Sequence, residues 1–321
     1  MLKNAAVVRG HSSDTYVIGI GAQGEFHGLK NNLACSAIAR DMSKDIVLPG
    51  GEHGVLLLHG LRGSPLEMQH LGKQLQKAGY SVRIPYIRGC GFGGNADAGS
   101  SRWEDWVEQA RAHYTALCES CTRVALGGLC IGAVLALAMA ADRGIRASAV
   151  MPLATTLKWD GWGMPWYRIF APLAYYTPLR FLYSFPERWP FGLKDEKLRD
   201  WISRQMRETG NSIAGASHLP MTSIYESLRM IRHTKRGLER ITAPALLIHA
   251  REDDVASPKN AHWVMERIGS RDKRLVILED CYHIITMDRE KERVARECIS
   301  FLRRAVPNVP DLLPERVRAV A

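Results

Sequence analysis

The sequence predicts an α/β fold, in which a mostly parallel sheet is flanked by helices and interrupted by an inserted helical cap. Short apolar runs alternate with helix-length amphipathic stretches from Gly54 onward, which is the pattern of a parallel sheet with helices on both faces. The unbroken apolar run Val55-Leu-Leu-Leu58 is typical of a strand buried on both faces. The alternation stops between residues 155 and 241 and then resumes, which predicts the insertion.

The alternating elements follow one another as a parallel sheet requires. Predicted strands cover residues 55–58, 81–85, 124–126, 147–152, 245–249 and 274–278, and predicted helices cover residues 67–78, 103–118, 131–141, 259–268 and 290–304. We divide the chain into an N-terminal arm (1–45), a sheet-and-helix core (46–154 and 242–306), a helical cap (155–241) and a C-terminal tail (307–321).

Residues 1–45 differ from the rest because Gly and Asn recur along them. They contain one strand-like run at residues 16–20 and a stretch near residues 34–40 that predicts a short helix. We expect either an arm packed on the core or a partly disordered segment.

The cap segment is rich in aromatic residues and prolines. It holds five of the eight tryptophans, namely Trp159, Trp162, Trp166, Trp189 and Trp201. Aromatic-rich helices joined by prolines and placed between sheet strands predict an apolar roof over the C-terminal edge of the sheet. The alternative is that most of these aromatic residues form the cap's own core.

Length and composition are those of a globular protein with a substantial core. The chain has 321 residues, of which 46% are hydrophobic and 24% charged. No stretch approaches the roughly 20 apolar residues of a membrane-spanning helix, and the first nine residues lack the apolar region of a signal peptide. We therefore expect no transmembrane segment and a cytoplasmic location.

The formal net charge of +10 favours anionic partners. Phospholipid head groups and an acidic acyl-carrier protein are two such partners, and peripheral contact of the cap with a membrane stays open as a minor alternative. Nucleic acid is not expected, because no nucleic-acid motif and no run of five or six basic residues accompanies the charge. The simpler interpretation is a solvated basic surface.

Seven cysteines at irregular spacing indicate reduced thiols and not a disulfide framework. Cys118-Glu-Ser-Cys121 has the spacing of a metal or redox pair, but no second pair or histidine cluster completes it, so we favour a structural loop. Gly91-Phe-Gly-Gly94 is too loose for a nucleotide-binding loop. We expect no metal and no cofactor.

Cys130 is the most informative residue of the chain. It follows the predicted strand at residues 124–126 in Gly128-Leu-Cys-Ile-Gly132 and precedes an Ala/Leu-rich helix. A strand that turns into a helix around G-x-nucleophile-x-G is a nucleophile elbow. The helix N-terminus would stabilise a thiolate, which predicts acyl transfer through a thioester. The alternative is a small buried thiol without a chemical role.

Two later loops supply partners for this thiol. His283 follows the predicted strand at residues 274–278 and is the natural base, whose Nε2 would exchange a proton with Cys130. Asp253 and Asp254 follow the strand at residues 245–249 and compete for the acid that orients the imidazole. The geometry of the strand end favours Asp253, in which case Asp254 is a solvated turn residue.

Other polar groups near these loops have lesser roles. Glu252 is a third and weaker choice for the acid, and Cys281 is expected to pack beneath the histidine loop. The oxyanion hole requires two N–H groups, for which we predict Ile131 and Leu61, the latter in the loop His59-Gly-Leu-Arg-Gly-Ser64. His59 is then structural.

These motifs resemble those of the small capped α/β-hydrolases, in particular bacterial carboxylesterases and monoacylglycerol lipases. The matching segments are Gly54-Val-Leu-Leu-Leu-His-Gly-Leu-Arg-Gly63, Trp103-Glu-Asp-Trp106, Gly128-Leu-Cys-Ile-Gly132, Ala250-Arg-Glu-Asp253 with Pro258, and His283 with Asp288. The resemblance covers residues 47 to 304, preserves the order nucleophile, acid, histidine, and implies that Asp253 is the acid because of the spacing of Pro258.

The nucleophile departs from this pattern, because most members carry Ser in the pentapeptide. Cysteine occurs at the elbow in a few other branches, such as dienelactone hydrolases and polyhydroxyalkanoate synthases. The resemblance favours hydrolysis of an acyl ester or thioester with an apolar acyl chain. The thiol favours the alternative of acyl transfer to an amine, thiol, alcohol or carbon nucleophile. A third interpretation is that the protein is a hydrolase-like binding module without catalytic activity.

Overall fold

The computed structural model describes residues 44–92, 101–212 and 215–306, together with strands β1 (Ala5–Val8) and β2 (Tyr16–Gly19). These two strands pair antiparallel within a unit formed by residues 1–38, and residues 39–321 form a second unit. The strand predicted at residues 16–20 is therefore confirmed. The helix predicted near residues 34–40 and the tail, residues 307–321, lie outside the described residues.

The second unit alternates strands and helices up to β7 and again from β12. Its strands are β3 (Ile46–Leu48), β4 (His53–Leu58), β5 (Ser81–Ile84), β6 (Arg123–Leu129), β7 (Val150–Leu153), β8 (Ser184–Pro186), β9 (Asn211–Ser212), β10 (Gly215–Ala216), β11 (His218–Pro220), β12 (Ala245–Ala250) and β13 (Lys273–Leu278). Its α-helices are α1 (Leu66–Lys77), α2 (Trp103–Cys118), α3 (Ile131–Ala140), α4 (Ala171–Tyr175), α5 (Glu196–Thr209), α6 (Met221–Lys235), α7 (Lys259–Arg267) and α8 (Lys291–Ala305).

Seven strands form one sheet in the order β13-β12-β7-β6-β4-β5-β3. All neighbours are parallel except the edge strand β3, which pairs antiparallel with β5. The chain leaves β4 to one side towards β5 and later returns to its other side as β6. In open sheets of this kind a crevice opens outside the carboxyl ends of the strands where the order reverses. The register that sets Leu58 opposite Gly128 brings the ends of β4 and β6 together at this point.

Apolar residues cover both faces of the sheet. One cluster joins the sheet to α1 and α8, with Leu71 and Phe301 at its centre. The other joins it to α2, α3, α6 and α7, and includes the fully buried Trp106. Helix α3 is apolar on all sides, and nine of its ten residues are buried. The predicted fold class is confirmed, and each predicted core element is present to within a few residues.

The segment 155–241 contributes no strand to the seven-stranded sheet. It contains α4, α5 and α6 with two small antiparallel pairs, β8 with β11 and β9 with β10. Large apolar side chains of this segment are exposed: Trp162, Trp166, Ile169, Phe170, Leu173, Tyr176, Leu179, Phe181, Leu182, Tyr183, Trp189 and Trp201. Most of its tryptophans therefore do not form a core within the segment. Among the described helices none is long and apolar enough to cross a membrane.

Candidate active site

The sequence-predicted site residues gather at the carboxyl ends of neighbouring strands. Leu61 follows β4, Cys130 follows β6, Asp253 follows β12 and His283 follows β13. Because these strands are parallel, their carboxyl ends meet at one edge of the sheet. The order of strands thus brings together groups that are up to 222 positions apart in the chain.

The turn at Cys130 has the strained backbone of a nucleophile elbow. Its φ of 59° and ψ of −119° lie where side chains are disfavoured, and its N–H donates to the Leu153 carbonyl over 3.0 Å. A Cβ at Gly128 would lie 2.3 Å from the Gly132 carbonyl oxygen, and a Cβ at Gly132 would lie 2.3 Å from the Leu58 carbonyl oxygen. Both glycines are therefore required for the strand, the helix and β4 to approach this closely.

His283 is buried beside Asp253. Its Nδ1 lies 2.8 Å and 3.0 Å from the two carboxylate oxygens. The same carboxylate accepts the N–H groups of Val255 at 2.9 Å and Ala256 at 2.7 Å, and His249 Nε2 lies 3.2 Å from Oδ2. Burial alone would raise the pKa of Asp253, but the charge of His283 and hydrogen bonds with His249 and His283 hold it well below its ordinary value.

The thiol and the imidazole influence each other strongly. Burial would raise the pKa of Cys130, but the charge of His283, with smaller contributions from neighbouring hydrogen-bond donors, outweighs burial, so the pKa is lowered. Burial would lower the pKa of His283, but Asp253 and Cys130 raise it well above its ordinary value. Within the described residues His283 Nε2 has no hydrogen-bond partner, so His283 influences Cys130 through its charge. Both directions favour a thiolate–imidazolium pair.

Thr156 adds a hydrogen bond that sequence reasoning missed. This fully buried residue follows β7, and its Oγ1 lies 3.4 Å from Cys130 Sγ and 3.2 Å from the Ala154 carbonyl oxygen. Its hydroxyl contributes to the lowered pKa of Cys130, after the larger effects of burial and His283. The signal available in the sequence was only its position at a strand end.

The predicted oxyanion donors flank the thiol. The Ile131 N–H, at the start of α3, points at Cys130 and helps to lower its pKa after burial and the contacts of His283 and Thr156. The Leu61 N–H has no acceptor among the described residues, and Leu61 lines the same cavity as Cys130. An N–H group without an acceptor is free to bind a substrate oxygen.

His59 has a structural place, as the sequence suggested. Its Nε2 accepts the Ile87 N–H at 3.0 Å, and its Nδ1 donates to the Gly60 carbonyl at 2.9 Å. Burial lowers the pKa of His59 to about 4, so it is neutral and holds the loop after β4 in place.

Asp254 is not the solvated turn residue that the sequence suggested. It is buried, and its carboxylate accepts the main-chain N–H groups of His283 and Gly192, each at 3.2 Å. The cap packs closely against this turn, since a Cβ at Gly161 would lie 2.3 Å from the main-chain carbonyl carbon of Asp254. Burial, and then repulsion by Asp253, raise the pKa of Asp254 to about 6. A local sequence pattern contains no information about this long-range covering.

Asp288 ties the histidine loop to the cap. Its carboxylate accepts the N–H groups of Lys194 and Asp195 from the cap side, each at 2.9 Å, and of Tyr282 at 2.7 Å. Cys281 packs under the same loop with no exposed surface, as expected from the sequence. The position of His283 is therefore fixed by groups from both the sheet edge and the cap.

The remaining candidates lie outside the site. Glu252 is exposed and pairs with Lys194 at 2.5 Å, so it is not placed to orient His283. Cys118 is exposed and Cys121 is buried, and both are free thiols. Within the described ranges no group of three or more metal-binding side chains occurs.

A cavity of about 660 Å³ opens above Cys130 and His283, and the cap segment roofs it. Most of its lining is apolar, with Leu157, Ile169, Phe170, Tyr175, Leu219 and Ile224 among the residues involved. Acidic residues that sequence reasoning missed also line it, among them Glu67 and Glu187. Burial raises the pKa of Glu67 to about 8. The side chain of Glu187 is exposed.

This fold and site define an α/β-hydrolase. The chain belongs to the family Hydrolase_4, described as serine aminopeptidase, S33, whose model matches residues 52–290. The family description names a serine, whereas the elbow of this chain carries Cys130.

Two relatives share most of their length with the chain. A thermostable monoacylglycerol lipase of Bacillus sp. (strain H-257) is 26% identical over 258 residues, which are 78% of this chain and 90% of the lipase. A carboxylesterase of Bacillus subtilis (strain 168) is 23% identical over 260 residues, which are 81% of this chain and 96% of the esterase.

Solved structures have the same fold. One described with LipS and LipT, two metagenome-derived lipolytic enzymes, is 27% identical with a TM-score of 0.66, and the match covers 82% of this chain and 98% of that one. The monoacylglycerol lipase of Paleococcus ferrophilus has the same TM-score at 18% identity, with coverages of 81% and 98%. The second likeness is one of fold alone.

Proposed function

We propose that the protein is an acyl-ester or acyl-thioester hydrolase whose nucleophile is Cys130. The observation that carries this is the thiol at a strained elbow, with His283 and Asp253 behind it and an apolar cavity in front of it. The named lipase and esterase relatives support the ester as substrate class. An apolar lining supports an apolar acyl chain.

The first half-reaction forms a thioester. The Cys130 thiolate attacks the acyl carbonyl carbon, a C–S bond forms, and the carbonyl electron pair becomes an oxyanion held by the N–H groups of Leu61 and Ile131. When the oxyanion collapses, the C–O bond to the alcohol breaks. His283 gives its Nε2 proton to the leaving alkoxide, and the imidazole becomes neutral.

The second half-reaction restores the thiol site. Neutral His283 takes a proton from water, and the water oxygen attacks the thioester carbonyl carbon. The C–S bond then breaks, and the acid leaves as the thiolate–imidazolium pair forms again. Asp253 keeps the imidazole in the tautomer that both proton transfers need.

Acyl transfer is the second candidate, and the thiol itself favours it. Thioesters react readily with amines, thiols and carbon nucleophiles, and the roof over the cavity limits access of water. An amine or a second thiol that enters the cavity would then replace water in the second half-reaction. A carrier protein drawn by the basic surface is one source of the acyl group.

The test is intact-mass measurement after exposure to short and medium p-nitrophenyl esters. We expect an acyl adduct on the native protein that is absent in Cys130→Ala and accumulates in His283→Ala, where deacylation is slow. Cys118→Ser is the matched control, because it removes an exposed thiol that is remote from the site. If no adduct and no turnover were observed, the protein would be a binding module. Acylated amine or thiol products would indicate a transferase.

A further inference from the structure

Glu67 is a buried acid whose place in the site has no counterpart in the proposed triad. It lies in the first turn of α1, on the same face as the buried Leu71 and Leu75. Only 3% of its surface is exposed, and one carboxyl oxygen accepts the Gly60 N–H at 2.9 Å. Within the described part of the chain the Glu67 carboxyl group has no other hydrogen bond and no ion pair with Lys or Arg.

Two glycines of the loop after β4 make room for this carboxyl group. A Cβ at Gly63 would lie 2.2 Å and 2.4 Å from the Glu67 oxygens. A Cβ at Gly60 would lie 3.3 Å from Glu67 Oε2 and 3.4 Å from the Cβ of Cys130. The carboxyl and the nucleophile thus border the same small space beside the expected oxyanion donors.

The charge state of Glu67 decides what it could bind. The net effect of its surroundings raises the pKa of Glu67 to about 8. Burial is the largest cause, the Gly60 N–H and His283 lower the pKa, and Cys130 and Glu187 raise it. Cys90, from the loop after β5, also interacts with it. At neutral pH the group is therefore mostly the uncharged acid, which both donates and accepts hydrogen bonds. A hydroxyl group matches this better than an ammonium group does.

A plain hydrocarbon chain would give this acid no partner beyond the Gly60 N–H. Covering a buried polar group with apolar atoms costs free energy, because the group loses water and gains nothing in exchange. Glu67 lines the cavity next to Cys130, so the nearest part of a bound acyl group is the part within a few bonds of the carbonyl carbon.

We propose that Glu67 is a specificity-determining residue that hydrogen-bonds a hydroxyl group on the acyl chain close to its carbonyl, which makes hydroxyacyl esters or thioesters the preferred donors. This proposal rests on Cys130 as the nucleophile. A site built to pair a hydroxyl discriminates against the analogue that lacks it, because its own polar group is then left unpaired.

The test compares three ethyl esters with one leaving group: hexanoate, 2-hydroxyhexanoate and 3-hydroxyhexanoate. Ester cleavage is followed by chromatography of the acids. For the native protein we expect kcat/KM to be about tenfold or more higher for one hydroxyester than for hexanoate. In Glu67→Leu the preference should fall to within about twofold, because the apolar side chain suits hexanoate.

Two further variants make the result specific. Glu67→Gln keeps both a hydrogen-bond donor and an acceptor and should retain part of the preference. If Glu67→Leu does not fold, Glu67→Gln is the variant that tests the proposal. Glu208→Gln makes the same chemical change on the exposed side of α5, away from the cavity, and should retain the full preference.

The proposal is overturned if the native protein cleaves the three esters equally, or if Glu67→Leu keeps the preference. Cleavage of all esters with acylation of Cys130 but without preference would leave the proposed function standing. No acylation with any of them would overturn both.

Discussion

The floor and the roof of the cavity hold their side chains in different ways. In the floor, Cys130 and His283 are held by hydrogen bonds or charge from Thr156 and Asp253, which lie buried beneath them, and Asp253 is only 2% exposed. The roof belongs to residues 162–189, in which many large apolar side chains are exposed, and Leu182, outside the cavity lining, is 85% exposed. The comparison predicts that the proposed reaction depends on the sheet edge, whereas the fit to the proposed acyl chain depends on the more exposed side chains of the roof.

The sharpest test of this contrast is within the floor. Asp253→Asn should lower kcat/KM by as much as roughly 10⁴-fold, since the imidazole loses the carboxylate that sets its tautomer. Asp254→Asn is the matched control, because among the described residues the Asp254 carboxylate hydrogen-bonds only to main-chain N–H groups, and kcat/KM should fall about tenfold. Ester hydrolysis at pH 7 measures both. A larger loss in Asp254→Asn would contradict the assignment of Asp253.

The second test concerns the buried acid at the edge of the floor. Burial raises the pKa of Glu67 to about 8, so the folded state keeps a proton that the unfolded chain releases near its ordinary value. Its contribution to stability is therefore greatest at low pH, and the free energy of unfolding should fall as pH rises from about 4.5 to 8, by on the order of a few kcal/mol.

Urea unfolding across this pH range provides the measurement. In Glu67→Gln the part of the slope due to this carboxyl should disappear, whereas Glu208→Gln, on the exposed side of α5, should keep the native slope. Identical slopes for all three proteins would mean that Glu67 is ionised in the folded state.

The third test removes one stabilising contact of the thiolate. Thr156→Val deletes the hydroxyl 3.4 Å from Cys130 Sγ while conserving the shape of the side chain. The pKa of Cys130 should rise, and alkylation by iodoacetamide at pH 6 should slow by about tenfold or less. Thr156→Ser restores the hydroxyl and should react at the native rate. If Val and Ser variants reacted alike, the hydroxyl would have no influence on the thiol.

The smallest effects should come from the roof. Ile169 lines the cavity, so Ile169→Ala should raise KM for medium-chain esters a few-fold and leave kcat nearly unchanged, because it removes only uniform binding. Leu182 does not line the cavity, and Leu182→Ala should change neither constant, with stability within about 0.5 kcal/mol of the native value. A fall in kcat for Ile169→Ala would show that the roof also positions the reacting groups.

The fold and the main site residues could be predicted because their signals are local. Alternating apolar runs define the parallel sheet, and the residues that follow its strands meet at one edge whatever the details of packing. Cys130 and His283 each follow a strand, so their meeting required no knowledge of side-chain contacts. The choice of Asp253 over Asp254 depended on the spacing to Pro258.

What could not be predicted depends on contacts between distant segments. Asp254 looked solvated because its burial comes from the cap, which is more than 90 positions away at Gly161. Glu67 looked like an ordinary acid in a first helical turn, where the helix dipole favours it. A signal was present nonetheless, since Glu67, Leu71 and Leu75 are spaced by four and put a carboxyl group on the apolar face of α1.

The backbone conformation at Cys130, which the elbow needs, also lowers the thermal stability of the protein. Glycine adopts a φ of 59° with ease, whereas the side chain at Cys130 makes that backbone cost about 1 kcal/mol or more. An inert Cys130→Gly protein would consequently be the more heat-resistant of the two, and it would be a suitable scaffold for trapping intact esters in crystals.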